Sequence, residues 1–229
     1  MKVKLLTKTQ NMLDVIYTGA RTCYNAGSPI DLFEDVENIP EEKKLKLIKS
    51  CIESQHDSVL EHTQFTFAIE GMSKASSVQL LRHRHASFSQ QSQRYCTFQE
   101  DKLNYVVQVK IKNNTEALNI FQNTMNVISK AYSDLLELGI LAEDSRAVLP
   151  NACETNLVVT FCLREFMHIC SLRLCSKSQL EIRQVVKEMK NKVVEDLPWL
   201  EEYLQPKCIL LKGCNEHKSC GYYEAKNKG

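Results

Sequence analysis

Apolar and polar residues alternate in two stretches of this 229-residue chain and recur at helical spacing through most of the rest. Residues 2–6 (KVKLL) read as a short strand. Residues 63–71 (TQFTFAIEG) put Phe65, Phe67 and Ile69 on one face, the period-2 pattern of a half-buried strand. Residues 9–24 carry Met12, Leu13, Ile16 and Tyr17 at helical period. Residues 25–40 hold Gly27, Pro29 and Pro40 and read as a loop. From 40 to 54, Pro40 marks a helix start, with acids in the first turn and lysines after, an order that suits the helix dipole. Ser73 can cap a helix that runs through Val78, Leu80 and Leu81 and then gives way to a loop over 82–95. The longest helical pattern covers 115–140, with Thr115 as its cap and Gly139 near its end. Residues 156–163 (NLVVTFCL) are either a strand or the start of a buried helix. Residues 164–197 are helical, as one helix or two, and Pro198 and Pro206 end the pattern. This order of elements predicts a single α+β domain: one central antiparallel sheet packed by long helices.

Composition changes the picture in three respects. The net charge is +1, so no overall field draws the protein to nucleic acid or membrane, and any anion site must be a local concentration of charge. The 7 glycines include no phosphate-binding loop, so a phosphate here needs side chains, chiefly arginine. No apolar run reaches the roughly 18 residues of a membrane span, and no apolar segment follows the basic start. A cytoplasmic protein is expected, and its 10 cysteines, without framework spacing, read as reduced thiols.

Five clusters could carry chemistry. Residues 71–99 contain no Asp or Glu, while Lys74, Arg82, Arg84 and Arg94 stand among Ser87, Ser89, Gln90, Gln91, Ser92 and Gln93. Such donors suit a phosphate or nucleotide; an exposed basic loop that touches RNA or nothing is the alternative. Arg82, His83 and Arg84 are consecutive, so they point apart and cannot all grip one group. Residues 56–62 (HDSVLEH) resemble a zinc helix only superficially, because His56 and His62 lie six apart. Residues 145–150 (SRAVLP) offer Arg146. Arg164, His168 and Leu172 form one helical stripe with Arg173 beside it, either an anion site or a core helix with snorkelling arginines. The tail residues Cys208, Cys214, His217 and Cys220 could bind zinc but lack a C-x-x-C knuckle, and a tail of reduced cysteines is the alternative.

Taken together, these residues resemble the flavin-dependent thymidylate synthases. Arg82-His83-Arg84, seven residues and Ser92 match that family's R-H-R-x7-S signature, and Arg94 follows as the pattern requires. Residues 20–24 (ARTCY), 56–62 (HDSVLEH), 146–150 (RAVLP) and 172–183 (LRLCSKSQLEIR) resemble further blocks of the family in the same order. The resemblance covers about residues 15–185, leaving the tail 206–229 outside it.

The resemblance implies reductive methylation of dUMP to dTMP, with 5,10-methylenetetrahydrofolate as carbon donor and NADPH reducing through bound FAD. It implies a cytoplasmic homotetramer with shared active sites, small-molecule substrates, and no nucleic acid, membrane or metal. The dUMP contacts it implies are Gln79, Leu80, Leu81, Arg82, Gln90, Gln91, Ser92, Gln93, Arg94, Arg146 and Arg173. The FAD contacts are Ser58, Arg82, His83, Arg84, Gln90, Cys162, Leu163, Arg164 and His168. Arg173 and His56 are the implied catalytic residues. An arginine beside the pyrimidine would stabilise the charge needed to make uracil carbon 5 nucleophilic. Ser92 has no His or Asp neighbour in the local sequence to activate it, so it reads as a binding group. Gln90 stands where some relatives carry Glu, and a glutamine cannot act as a base.

Overall fold

The computed structural model describes residues 1–98 and 103–226. Gln99, the last residue of the acid-free stretch, lies outside them. Among the described residues four strands form one sheet: β1 (Lys2–Lys8), β2 (Gln64–Ser73), β3 (Ala86–Gln90) and β4 (Glu154–Cys162). Their order is β1-β2-β4-β3 and every neighbouring pair is antiparallel. The helices are α1 (Met12–Thr22), α2 (Pro29–Glu34), α3 (Glu41–Glu53), α4 (Lys74–Leu80), α5 (Val109–Lys112), α6 (Thr115–Glu137), α7 (Ala142–Ser145), α8 (Leu163–Arg173), α9 (Leu180–Asp196), α10 (Lys207–Leu210) and α11 (Tyr222–Lys226). The expected α+β architecture is therefore present.

Side-chain alternation decides which face of the sheet is buried. Phe65, Phe67 and Ile69 of β2 and Leu157, Val159 and Phe161 of β4 point one way and join the core. Phe65 lies opposite Phe161 and Phe67 opposite Val159. α8 and α9 cover this face with Phe166, Ile169, Ile182, Val185, Val186 and Met189. Phe161 stacks on Phe166 at 5.1 Å and on Phe67 at 5.7 Å. The opposite face carries Thr66 and Thr160, whose hydroxyls share a 2.9 Å hydrogen bond. β2 bulges between Ile69 and Met72, where Gly71 adopts φ +71°, a conformation an L side chain rarely takes.

Several expectations are corrected. Residues 25–40 are not a plain loop: Ser28 accepts hydrogen bonds from the N–H groups of Ile30 and Asp31, and Pro29 opens α2. The cap of α6 is Asn114, one residue before Thr115, and its side chain accepts from the Ala117 N–H. Ser73 does cap α4, but the helix ends at Leu80. After a short turn the chain becomes β3 rather than a loop. Residues 156–163 resolve as the end of β4 followed at once by α8, and 164–197 as two helices.

One buried carboxylate ties these pieces together. Glu181, in the first turn of α9, accepts from the Ser73 N–H and hydroxyl, each at 2.6 Å, and from Gln108 Nε2 at 2.8 Å. Ser73 in turn accepts from the Ser76 N–H. The end of β2, the cap of α4 and the start of α9 thus share one fully hydrogen-bonded carboxylate, the condition under which a buried charge is tolerated.

Candidate active site

A cleft of about 1240 Å³ opens where the turn after α4, the start of β3, the end of β4 and the outer face of α8 converge. Arg82, His83, Arg84, Cys162, Arg164, His168 and Arg173 all line it. The consecutive Arg-His-Arg divides as its geometry requires. Arg82 and Arg84 are exposed, and His83 turns inward to 5 % exposure.

His83 Nδ1 lies 3.1 Å from Glu165 Oε1, and its Nε2 accepts from Arg173 Nε–H at 3.0 Å. Arg173 also donates through Nη2 to the Gln79 carbonyl at 2.8 Å, and the Gln79 amide donates to Gln179 Oε1. Burial, the Arg173 guanidinium and His168 push the His83 pKa down to about 4, so the ring is neutral near pH 7. Burial and the neighbouring Arg82 lower the Arg173 pKa. His168 meets His83 edge to face at 5.7 Å. At the cleft mouth Arg164 pairs with Glu61. Arg82 and Arg84 have no acidic partner among the described residues. Such an arrangement suits an anion: among the described residues, two exposed guanidiniums without an acidic partner stand beside a third held in fixed orientation.

The other predicted nucleotide contacts fall elsewhere in the chain. Gln91, Ser92 and Gln93 line a second cavity of about 360 Å³ with Phe98, Glu154 and Asn156. Asn156 donates to Gln91 Oε1 at 2.9 Å, and Ser92 Oγ accepts from the Arg94 N–H at 3.2 Å. Gln93 Nε2 is buried without a hydrogen-bond partner among the described residues. Arg94 forks onto Glu143 Oε2 at 3.1 and 2.8 Å, and Arg146 donates to the Glu143 carbonyl at 3.1 Å, so both arginines converge on α7. Gln90 donates to Ser77 Oγ at 2.8 Å. Residues 82–95 are thus a turn, an edge strand and a second turn with His83, Gln90 and Gln93 directed inward, and not one exposed basic loop.

The remaining predicted residues divide by burial. Leu80 and Leu163 are fully buried in the core, which leaves only their backbone for a ligand. Leu81 is half-buried. His56 and Ser58 are exposed around a 3-10 turn, Asp57–His62, from which Asp57 and Glu61 reach the cleft. Of the block at 172–183, Gln179 steadies Gln79 and Glu181 is structural. In the tail, Cys208, Cys214 and Cys220 are joined around a 620 Å³ cavity by Cys175 rather than His217. All ten cysteines are free thiols, and among the described residues no group of three or more His, Cys, Asp or Glu is placed to hold a metal ion. No helix among the described residues is long and apolar enough to cross a membrane.

The sequence as a whole matches a family model, the thymidylate synthase complementing protein, over residues 4–199. The chain belongs to this family. Among curated relatives it is 39 % identical over 234 residues to the flavin-dependent thymidylate synthase of Nitratidesulfovibrio vulgaris, covering 97 % of this chain and 95 % of that one. It is 38 % identical over 209 residues to that of Geobacter sulfurreducens, covering 91 % and 89 %. The fold resembles a UMP/dUMP methylase, PolB from Streptomyces cacaoi, solved with 5-Br dUMP (TM-score 0.73, 24 % identity, 88 % of this chain and 93 % of that one). It also resembles Thymidylate Synthase X from Helicobacter pylori, solved with FAD and dUMP (TM-score 0.70, 22 % identity, 89 % and 99 %).

Glu165 was missed in the sequence. Next to Arg164 it resembles a solvated acid, and the contact that gives it a role is with His83, 82 residues away.

Proposed function

We propose that this protein is a flavin-dependent thymidylate synthase. It methylates dUMP to dTMP, with 5,10-methylenetetrahydrofolate as carbon donor and NADPH as the source of hydride. The observation that carries this reading is the cleft in which the R-H-R turn meets Arg173, in a chain that matches the family over most of its length. The cleft exceeds the usual few hundred to about 1,000 Å³ of a drug-sized ligand site, as a dinucleotide requires. Bound there, FAD would relay hydride from NADPH to the one-carbon unit.

The residues of the chain bind and orient. Arg82, Arg84 and Arg164 offer guanidiniums to the pyrophosphate and ribityl portions of the flavin, with His83, His168 and the backbone at Cys162–Leu163 lining its bed. Arg173, its plane held by His83 and Gln79, faces the pyrimidine, where a fixed cation stabilises negative charge as carbon 5 becomes nucleophilic. Gln79 and the backbone at Leu80–Leu81 flank the same ring. Gln90–Arg94 and Arg146 receive the nucleotide phosphate and sugar, and the orphaned Gln93 donor fits an acceptor on that ligand. Ser58, on the turn whose Asp57 and Glu61 reach the cleft, is assigned to flavin contact, and His56, just before that turn, to catalysis.

The assembly we infer is a homotetramer in the cytoplasm, with each site drawn from more than one chain. Two features support it. Of the dUMP residues, Arg82 and Arg173 line one cavity and Gln91, Ser92 and Gln93 another. The 23-residue α6 buries only Met125, Ser129 and Tyr132 and leaves Ile120 and Val127 exposed.

The test is direct. The purified protein, incubated with FAD, should show a flavin visible spectrum and oxidise NADPH in a dUMP- and folate-dependent manner, releasing dTMP. A colourless protein that binds no added FAD overturns the proposal. Arg173→Ala should keep flavin and lose methylation; normal turnover in that variant removes the role assigned to Arg173.

A further inference from the structure

We propose that Glu165 is a positioning residue that, through His83, sets the orientation of Arg173 in the cleft. This rests on the reading above, in which Arg173 meets the nucleotide.

The argument runs on donors and acceptors. A guanidinium carries only N–H donors. Because Arg173 Nε–H points at His83 Nε2 from 3.0 Å, that nitrogen must be the bare one. A neutral imidazole then carries its proton on Nδ1. The group facing Nδ1, at 3.1 Å, is Glu165 Oε1, which can only accept while ionised. Each link therefore requires the next: carboxylate, Nδ1–H, bare Nε2, guanidinium. If the ring took the other tautomer, or a second proton, Nε2 would become a donor and oppose Arg173 Nε–H.

Burial makes the chain exacting. Glu165 is 7 % exposed and His83 5 %, so neither can exchange its partner for water without cost. The other charged or titratable groups that act on them are His168, His85 and Arg164 around the carboxylate, and His168 and Arg173 around the ring. Among the described residues, the partner within hydrogen-bond distance of Nδ1 is Glu165. At the far end, the Gln79 carbonyl fixes a second edge of the guanidinium at 2.8 Å. With Nε and Nη2 held, the plane of Arg173 is set, and its remaining N–H groups are those left for a ligand. A fork so held loses little freedom on binding, which is the physical content of preorganisation.

The experiment uses the FAD-loaded protein. Glu165→Leu removes the acceptor at similar volume, whereas Glu165→Gln keeps an amide oxygen that can still accept from Nδ1–H. Dissociation constants for dUMP are read from the flavin absorbance change, alongside kcat, KM and flavin content. Loss of one buried hydrogen-bond link, worth about 1.4 kcal/mol, corresponds to roughly tenfold weaker dUMP binding in Glu165→Leu. Flavin content should stay level, and Glu165→Gln should recover most of the affinity. Wild-type dUMP binding in Glu165→Leu, with Arg173→Ala defective, overturns the positioning role alone. Normal behaviour of Arg173→Ala itself overturns the underlying reading. Should Glu165→Leu fail to fold, nitrogen-15 spectra of histidine-labelled wild-type protein decide. His83 must titrate as an Nδ1–H tautomer, and an Nε2–H tautomer refutes the proposal.

Discussion

His83 is a neutral base held between a carboxylate and a guanidinium, and this has a consequence for stability. Its folded pKa, about 4, lies below the ordinary histidine value of 6.5. Between those values the unfolded chain binds more protons than the folded one, so stability rises with pH across that window. The contribution is present above about pH 6.5 and is lost as pH falls toward 4. Melting temperature should therefore fall over this range, and His83→Gln should flatten that part of the profile; an unchanged slope would remove His83 as its source. The arginines and the spacing to Ser92 could be read along the chain because they are local. Glu165 and the orphaned Gln93 amide could not, since burial and a partner 82 positions away define the first and a cavity wall the second.

At the scale of elements, Glu181 joins α9 to the β2–α4 junction. Glu181→Leu would strip the acceptor from the Ser73 N–H, the Ser73 hydroxyl and the Gln108 amide. We expect a loss of about 3 kcal/mol, read as a lower denaturant midpoint, because several buried donors are left unpaired. A shift within about 0.5 kcal/mol, the range of neutral surface changes, would show that the junction holds without it. β2, α1 and α6 were legible from period, and α3 from its proline start and charge order, whereas the cap of α6 lies one residue before the one read. β3 was misread as loop. Its Ala86 and Phe88 pack on the core while Ser87 and Ser89 are exposed, a period-2 signal that five residues, mostly polar, state weakly. Its pairing partner β4 is some seventy residues downstream, and a polar edge strand exists only once that partner is in place.

At the scale of the whole molecule, Gln79, Arg82 and Arg173 belong to one region of the chain, and Gln91–Arg94 with Arg146 to another. If sites are completed between subunits, two inactive variants should restore each other. Mixed assemblies of Arg173→Ala and Arg94→Ala, combined in equal amounts, should recover about a quarter of wild-type sites where the two residues come from different chains. No recovery in verified mixed assemblies would place both residues in one subunit. Ile120 and Val127, exposed on α6, belong to the same question.

The chemistry was determined by sequence alone: an acid-free run of arginines and amides at family spacing, with distant arginine blocks in a set order. So were the elements whose apolar period is long enough to be read without a partner. Only tertiary structure decided which arginines line one cleft, that β3 is a strand, and that a buried carboxylate on α8 reaches Arg173 through a histidine. Those features depend on contacts between residues far apart in the chain, and an imidazole's tautomer is set by the groups that fold against its two nitrogens.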